Sequence, residues 1–220
     1  MGKLLNLITP LHQKTNRDYI ERMMDNKVKC MGIARKYGKD FWDGQRKYGY
    51  GGYRYDGRWE PVARELIEMY SLRGDAKILD VGCGKGYLLY EFKKLLPKSH
   101  IRGFDISNYA IENAKAKIRE NLFVHKAQDP YPFKSKEFDL VVSIVTLHNL
   151  PIYELKSALK EIEKVGNNKY ITVESYQDEE ELFNLQCWAL TCESFFRPQE
   201  WIWLFNEFGY TGDYEFLYFK

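Results

Sequence analysis

The stretch Ile78-Leu79-Asp80-Val81-Gly82-Cys83-Gly84-Lys85-Gly86 constrains this chain more than any other. Its apolar start reads as a buried strand, and the residues from Tyr87 onward read as a helix, so the glycines form the turn between them. Three glycines within five positions remove the Cβ atoms that would hold a ligand away from the backbone. Because the turn opens a helix, free N–H groups and the positive end of the helix dipole point into the same space. Such a turn suits a nucleotide-type cofactor. The spacing is G-x-G-x-G with Asp80 inside the strand end, which is not the G-x-G-x-x-G of dinucleotide folds.

Beyond this turn, strand and helix patterns alternate, as a parallel sheet requires. Strands are expected at residues 77–81, 101–105, 122–127, 138–144, 169–174 and 211–219. Helices are expected at 87–95, 107–120, 153–165, 179–195 and 197–208, the last two separated by Pro198 and the final one ended by Gly209. Pro61 starts a helix that reaches Tyr70. Upstream, Asn16 is placed to cap a helix to about Lys36, with Ile20, Met24, Cys30, Met31 and Ala34 on its buried face. Residues 41–59 have no period. They interleave glycines with aromatics and arginines, and read as a lid over a cofactor and its acceptor. The expected organisation is an N-terminal helical and Tyr/Gly-rich segment over residues 1–60 and a core over 61–220.

Charge and composition narrow the function classes. The net charge is only +2, which argues against a dedicated nucleic-acid binder. The charge is uneven, however. Residues 1–60 hold 13 Lys/Arg against 7 Asp/Glu, and residues 171–220 hold 2 against 10. The basic N-terminal part therefore suits an anionic acceptor. The four cysteines, Cys30, Cys83, Cys187 and Cys192, show no metal-ligand spacing and read as free thiols. No apolar run approaches membrane-spanning length, and no secretory signal is visible, so the expected location is the cytoplasm.

Ligands of open α/β sheets bind outside the carboxyl ends of the strands. Asp80 and Gly82, Gly84 and Gly86 close the first strand. Asp105 closes the second, where a carboxylate can accept both hydroxyl protons of a ribose. Asp129 follows the third, where it can accept from an adenine amino group, and His148 follows the fourth.

With these features together, residues 77–150 resemble the class I S-adenosylmethionine (SAM)-dependent methyltransferases. The resemblance runs through Ile78–Gly86, then Gly103-Phe104-Asp105-Ile106-Ser107, then Pro132-Phe133 and Phe138-Asp139-Leu140-Val141-Val142-Ser143. It implies a Rossmann-like, mostly parallel seven-stranded sheet whose last strand is antiparallel, here with an abbreviated terminal hairpin. It also implies SAM as cofactor and S-adenosylhomocysteine (SAH) as product. Gly82 and Gly84 would approach the methionine part and Asp80 would orient that loop. Asp105 would bind the ribose, Ile106 would stack on adenine, and Asp129 would meet its amino group. The stretch from Asp40-Phe41-Trp42-Asp43-Gly44 through Val62-Ala63 is similar to methyltransferases encoded among bacterial capsule and surface-polysaccharide genes. That implies a sugar, a sugar nucleotide or another phosphorylated precursor as acceptor. No Asn-Pro-Pro-Tyr-type sequence, the mark of amino-group methylation in nucleobases, follows the fourth strand.

Methyl transfer to oxygen or nitrogen is an in-line displacement that needs two reactants positioned and water excluded. Tyr48, Tyr50 and Tyr53 are candidates for an aromatic wall around the sulfonium. Arg46, Arg58 and Arg197 are candidates for gripping a phosphate or carboxylate. His148 is the expected base toward an alcohol, with Glu174, at the end of the fifth strand, as second candidate. Two other readings remain open: a nicotinamide-dependent oxidoreductase, and a non-catalytic module that binds RNA or a partner protein.

Overall fold

The structure is a computed structural model that describes residues 2–220. In chain order the N-terminal part contains helices α1 (Thr9–Gln13), α2 (Tyr19–Met24), α3 (Lys27–Ala34) and α4 (Lys39–Asp43), and a single 3-10 turn at Arg46–Tyr48. Then follow α5 (Glu60–Met69), β1 (Lys77–Val81), α6 (Tyr87–Leu95), β2 (His100–Asp105), α7 (Asn108–Glu112), α8 (Ala116–Arg119) and β3 (Leu122–Val124). The last third contains β4 (Phe138–Ile144), a 3-10 turn at Leu147–Asn149, α9 (Ile152–Val165), β5 (Gly166–Glu174), α10 (Glu179–Trp188), α11 (Pro198–Glu207) and β6 (Asp213–Leu217).

The strands form one sheet in the order β3-β2-β1-β4-β5-β6, with helices on both faces, a Rossmann-like arrangement. Alternate residues of β1 serve opposite layers. Leu79 and Val81 pack with α9 and α11 through Leu155, Leu159, Trp201 and Phe205. Ile78 packs with α5, α6 and α8 through Leu66, Phe92 and Ile118. Each such fully buried side chain contributes about 1.5–3 kcal/mol.

Among the described residues the sheet has six strands rather than the expected seven, and β6 runs parallel to β5, not antiparallel. Two helices lie between β5 and β6, a crossover connection of the kind that parallel neighbours require. The free edge of β6 is covered by the N-terminus. Leu4 bridges Tyr214 in parallel, and the carboxylate of buried Glu215 accepts from the N–H groups of Leu7, Ile8 and Thr9. Glu215 also accepts from the hydroxyls of Thr9 and Tyr170.

Three expected helices are shorter or divided. The expected helix from Asn16 to Lys36 is two, because the Asp25 backbone turns extended and Asn26 caps a new start at Lys29 N–H (3.2 Å). Asp18, not Asn16, caps the first of them, accepting from Glu21 N–H at 2.8 Å. Ile20 and Met24 are exposed, so of the expected face only Cys30 and Ala34 are buried and Met31 half-buried. The helix expected at 107–120 is interrupted where Lys115 turns extended. The one expected at 179–195 ends at Trp188, freeing residues 189–192 to line the cavity described below. All four cysteines are free and buried. Among the described residues no helix is long and apolar enough to cross a membrane, and no His/Cys/Asp/Glu group can hold a metal ion.

Candidate active site

A cavity of about 600 Å³ opens at the C-terminal ends of β1, β4 and β5. Its floor is the glycine turn. Gly82, Gly84 and Gly86 all have positive φ (78°, 54° and 70°), a conformation that costs glycine little and other residues more. A Cβ at Gly82 would lie 2.2 Å from Thr146 Oγ1, and one at Gly84 would lie 2.7 Å from the Trp42 ring. Gly82 and Gly84 line the cavity. Gly86 instead faces Ile118 and Leu122, so its missing side chain permits core packing.

Asp80 lies buried in this floor, and its Oδ1 has no hydrogen-bond partner among the described residues. Burial, with the nearby Asp105 charge second, pushes its carboxyl up to about 8. Asp105 is also buried, and burial raises it against two opposing main-chain bonds. Its carboxylate accepts from Gly84 N–H and Ser107 N–H, both at 2.8 Å, and so ties β2 to the turn. Asp105 does not line the cavity. Ile106 and Asp129 are exposed and lie outside it as well. Of the residues expected around the cofactor, the structure therefore gathers those of the methionine end, Asp80, Gly82 and Gly84, in the cavity and leaves those of the nucleoside end, Asp105, Ile106 and Asp129, beyond it.

The roof comes from residues 8–59. Trp42 stacks on Tyr50 at 5.2 Å and donates from Nε1 to Ser107 Oγ at 2.8 Å. Lys85, in the glycine turn itself, clamps Asp43 at 2.7 Å and also bonds the Tyr53 carbonyl at 2.9 Å. Tyr109 OH adds a third bond to Asp43, at 2.8 Å. Burial works against the Asp43 charge, but its bonds from Lys85 and Tyr109 outweigh that and hold its carboxyl below the usual range. Tyr50 and Tyr53 line the cavity, whereas Tyr48 packs beside it with Phe41 and Leu190. Arg58 reaches the rim but is paired with Asp56 at 2.6 Å. Arg197 is elsewhere, on Glu179 (3.1 Å) and against Tyr176.

At the far wall, His148 and Glu174 form one unit. Nδ1 of His148 accepts from Glu174 N–H at 3.3 Å, while Nε2 lies 3.4 Å from Glu174 Oε2. Burial pushes the imidazole down to about 3, so the ring is neutral. Because Nδ1 accepts, the single ring proton is assigned to Nε2, facing the carboxylate. Neither nitrogen is left to take a proton from an acceptor. Glu174 differs: burial raises its carboxyl to about 7, opposed by the positive charge of Arg17. Next to this pair Val145 holds φ 53°, rare for a β-branched residue, and its N–H is fixed by Thr172 Oγ1 at 2.8 Å.

Sequence reasoning missed Arg17, Arg22 and Trp188, which also line the cavity. Four of its lining residues carry buried polar atoms without a partner among the described residues: His12 Nε2, Arg17 Nε, Asp80 Oδ1 and Asn149 Oδ1. Such atoms are costly to bury unpaired, and their convergence on one space marks it as a place built to receive polar groups.

Residues 72–209 match the family described as Methyltransferase domain. The chain is 30% identical over 105 residues to malonyl-[acyl-carrier protein] O-methyltransferase from Bacillus cereus, an overlap of 44% of this chain and 39% of that protein. It is 30% identical over 116 residues to ribosomal RNA small subunit methyltransferase C from Buchnera aphidicola, covering 49% and 34% respectively. The chain thus spans well under half the length of either relative. Among solved structures, the complex of the Haloferax volcanii Trm112 methyltransferase activator with a methyltransferase gives a TM-score of 0.56 at 16% identity, covering 89% of this chain and 77% of that one. A Bacillus halodurans methyltransferase gives 0.53 at 18% identity, covering 67% and 68%. These likenesses support the fold.

Proposed function

The chain belongs to the methyltransferase domain family, and from that membership we propose that it moves a methyl group from SAM to an oxygen of a small hydrophilic acceptor. SAM is the cofactor that family and fold imply. The residues present fit its amino-acid end: Asp80 offers an unpartnered carboxylate oxygen, and Gly82 and Gly84 bring backbone to the cavity surface. A cationic group arriving at Asp80 would favour its ionised form. At the nucleoside end Trp42 rests on Gly84 and Ser107, and both Asp105 oxygens are engaged, so this wall must yield for a ribose to reach Asp105. When bound, SAM supplies an electrophilic methyl on a sulfonium whose departure leaves a neutral thioether.

The observation that carries the reading is that Asp80, the glycine turn and Glu174 face one cavity at the strand ends. Glu174, not His148, is the proposed base. A carboxyl near 7 is poised for proton transfer at neutral pH. Glu174 would hold the acceptor hydroxyl and take its proton. His148 holds Glu174 through the main-chain and carboxylate contacts just described, and is a positioning residue. Tyr50, Tyr53 and Trp42 exclude water from the cavity mouth. The family likeness extends to enzymes named for a malonyl-acyl carrier and for ribosomal RNA. A sugar or surface-polysaccharide precursor as acceptor rests on the motif at residues 40–63 alone.

The test is kinetic. Glu174→Gln is expected to lower kcat by about 100-fold or more while SAH affinity changes by less than about twofold. The rise of kcat with an apparent pKa near 7 should vanish with it. Full activity in the folded variant would remove Glu174 from the chemistry. His148→Asn should displace that pKa rather than abolish turnover.

A further inference from the structure

Three arginines meet around one indole at the roof of the cavity. The guanidinium carbons of Arg17, Arg22 and Arg46 lie 5.4, 4.7 and 4.8 Å from the Trp188 ring centroid. Arg22 is buried, Arg17 half-buried, and Arg46 stands exposed at the mouth. All of them line the cavity. None forms an ion pair with a carboxylate among the described residues, although Arg35, Arg58, Arg64, Arg73 and Arg197 each do.

Their bonds hold them without neutralising them. Arg17 Nη1 donates to the carbonyls of His12 (2.9 Å) and Thr15 (3.1 Å). Arg46 Nη1 donates to those of Gly49 (3.0 Å) and Tyr50 (3.1 Å). Arg22 donates from Nε to the Trp188 carbonyl (3.3 Å) and from Nη1 to the Arg46 carbonyl. Each guanidinium is thereby oriented by one edge, and the Arg17 Nε, buried, has no acceptor among the described residues. Clustered like charges repel, and burial together with the Arg46 charge lowers Arg22 to about 10. An arrangement that gathers positive charge at such a cost is stabilised when an anion arrives.

We propose that Arg17, Arg22 and Arg46 form the subsite for a phosphoryl group on the methyl acceptor. Three clustered cations with no ion-paired carboxylate among the described residues call for more than one negative charge. A phosphate monoester carries close to two near neutral pH and offers oxygens in several directions, whereas a carboxylate carries one. A cavity of about 600 Å³ is the size of a small-molecule site rather than a nucleic-acid groove. Arg17 is close enough to Glu174 for each to shift the other's charge, so the anion would sit beside the proposed base. The acceptor is then a phosphorylated hydroxyl compound, its phosphoryl group on the arginines and its hydroxyl toward Glu174. This deepens, and rests on, the methyltransferase reading above.

The experiment uses the full chain and separate calorimetric titrations with glucose 1-phosphate, inorganic phosphate, succinate and SAH. The phosphate ester is expected to bind, and Arg17→Gln and Arg46→Gln each to weaken it by about tenfold or more, with SAH unchanged. Should either variant fail to fold, the arginine Nε–H resonances of the unaltered chain decide the same question. The Arg17 signal must shift as inorganic phosphate is added and stay still with succinate. Phosphate binding that is absent, that survives both substitutions, or that succinate matches would overturn the proposal. Silence for SAH alone, with the phosphate subsite intact, would overturn the methyltransferase reading and leave the anion site standing.

Discussion

The floor and the roof of the cavity are built by different means. The floor is backbone: β1 hands over to a glycine turn whose N–H groups and positive φ angles are fixed within a few residues, with Asp105 tying Gly84 from the next strand. The roof is side chain: Lys85 on Asp43, Tyr109 on Asp43, Trp42 on Ser107, Arg22 on Trp188, and Glu215 gathering the N–H groups of residues 7–9. The floor suits a cofactor shared across a large family. The floor lies within the residues that match the family, whereas residues 8–59 of the roof lie outside them.

The sharpest way to break this division is at the roof's anchor. Glu215→Ala would leave the N–H groups of Leu7, Ile8 and Thr9 and the hydroxyls of Thr9 and Tyr170 without their acceptor. The expected cost is about 3 kcal/mol in the protection of amides 5–12, measured by hydrogen exchange. If β1 and α6 lose protection equally, roof and floor are one cooperative unit and the division fails.

The floor is probed by pH. Asp80 titrates near 8 when folded and near 4 when unfolded, so between those values the folded chain holds a proton that the unfolded chain has lost. Stability therefore falls as pH rises through this window. His12 and His148, both pushed down to about 3, act the other way and lose stability as pH falls below about 6.5. Asp80→Asn should remove the Asp80 contribution, so that the variant gains on the parent by a few kcal/mol between pH 5 and 8 in denaturant midpoints. An unchanged difference across that range would mean that Asp80 is not held protonated by the floor.

The smallest expected effect sharpens the floor's outline. Asp129 is exposed and lies outside the cavity. Asp129→Ala should change SAH affinity by less than about twofold. A loss of about tenfold would show that the nucleoside reaches past the cavity as now shaped, and would bring Ile106 and Asp105 back with it.

Much of the floor was legible in the sequence because its signals are local. A strand has period two, a helix 3.6, and a tight strand-to-helix turn needs glycine, so β1, α6, β4 and α9 fell within a residue or so of expectation. The strand ends placed Asp80, His148 and Glu174 on one side of the sheet for the same reason. Where local rules compete, boundaries moved: Asn26 and Lys115 each divided a helix that apolar spacing alone would have continued. The antiparallel last strand came from the family resemblance and not from the pattern, for the two helices expected before β6 already form a crossover of the parallel kind.

What the sequence determined by itself was the layered α/β sheet and the glycine turn at its centre, because both follow from interactions between near neighbours. Only the tertiary structure decided which charged groups act together. Arg22 meets the Trp188 carbonyl across 166 residues, and His148 meets Glu174 across 26. No periodicity reports such pairs, for they are fixed by the packing of whole elements. The same packing withdrew the imidazole of His148, the expected base, from water and set both of its nitrogens against Glu174.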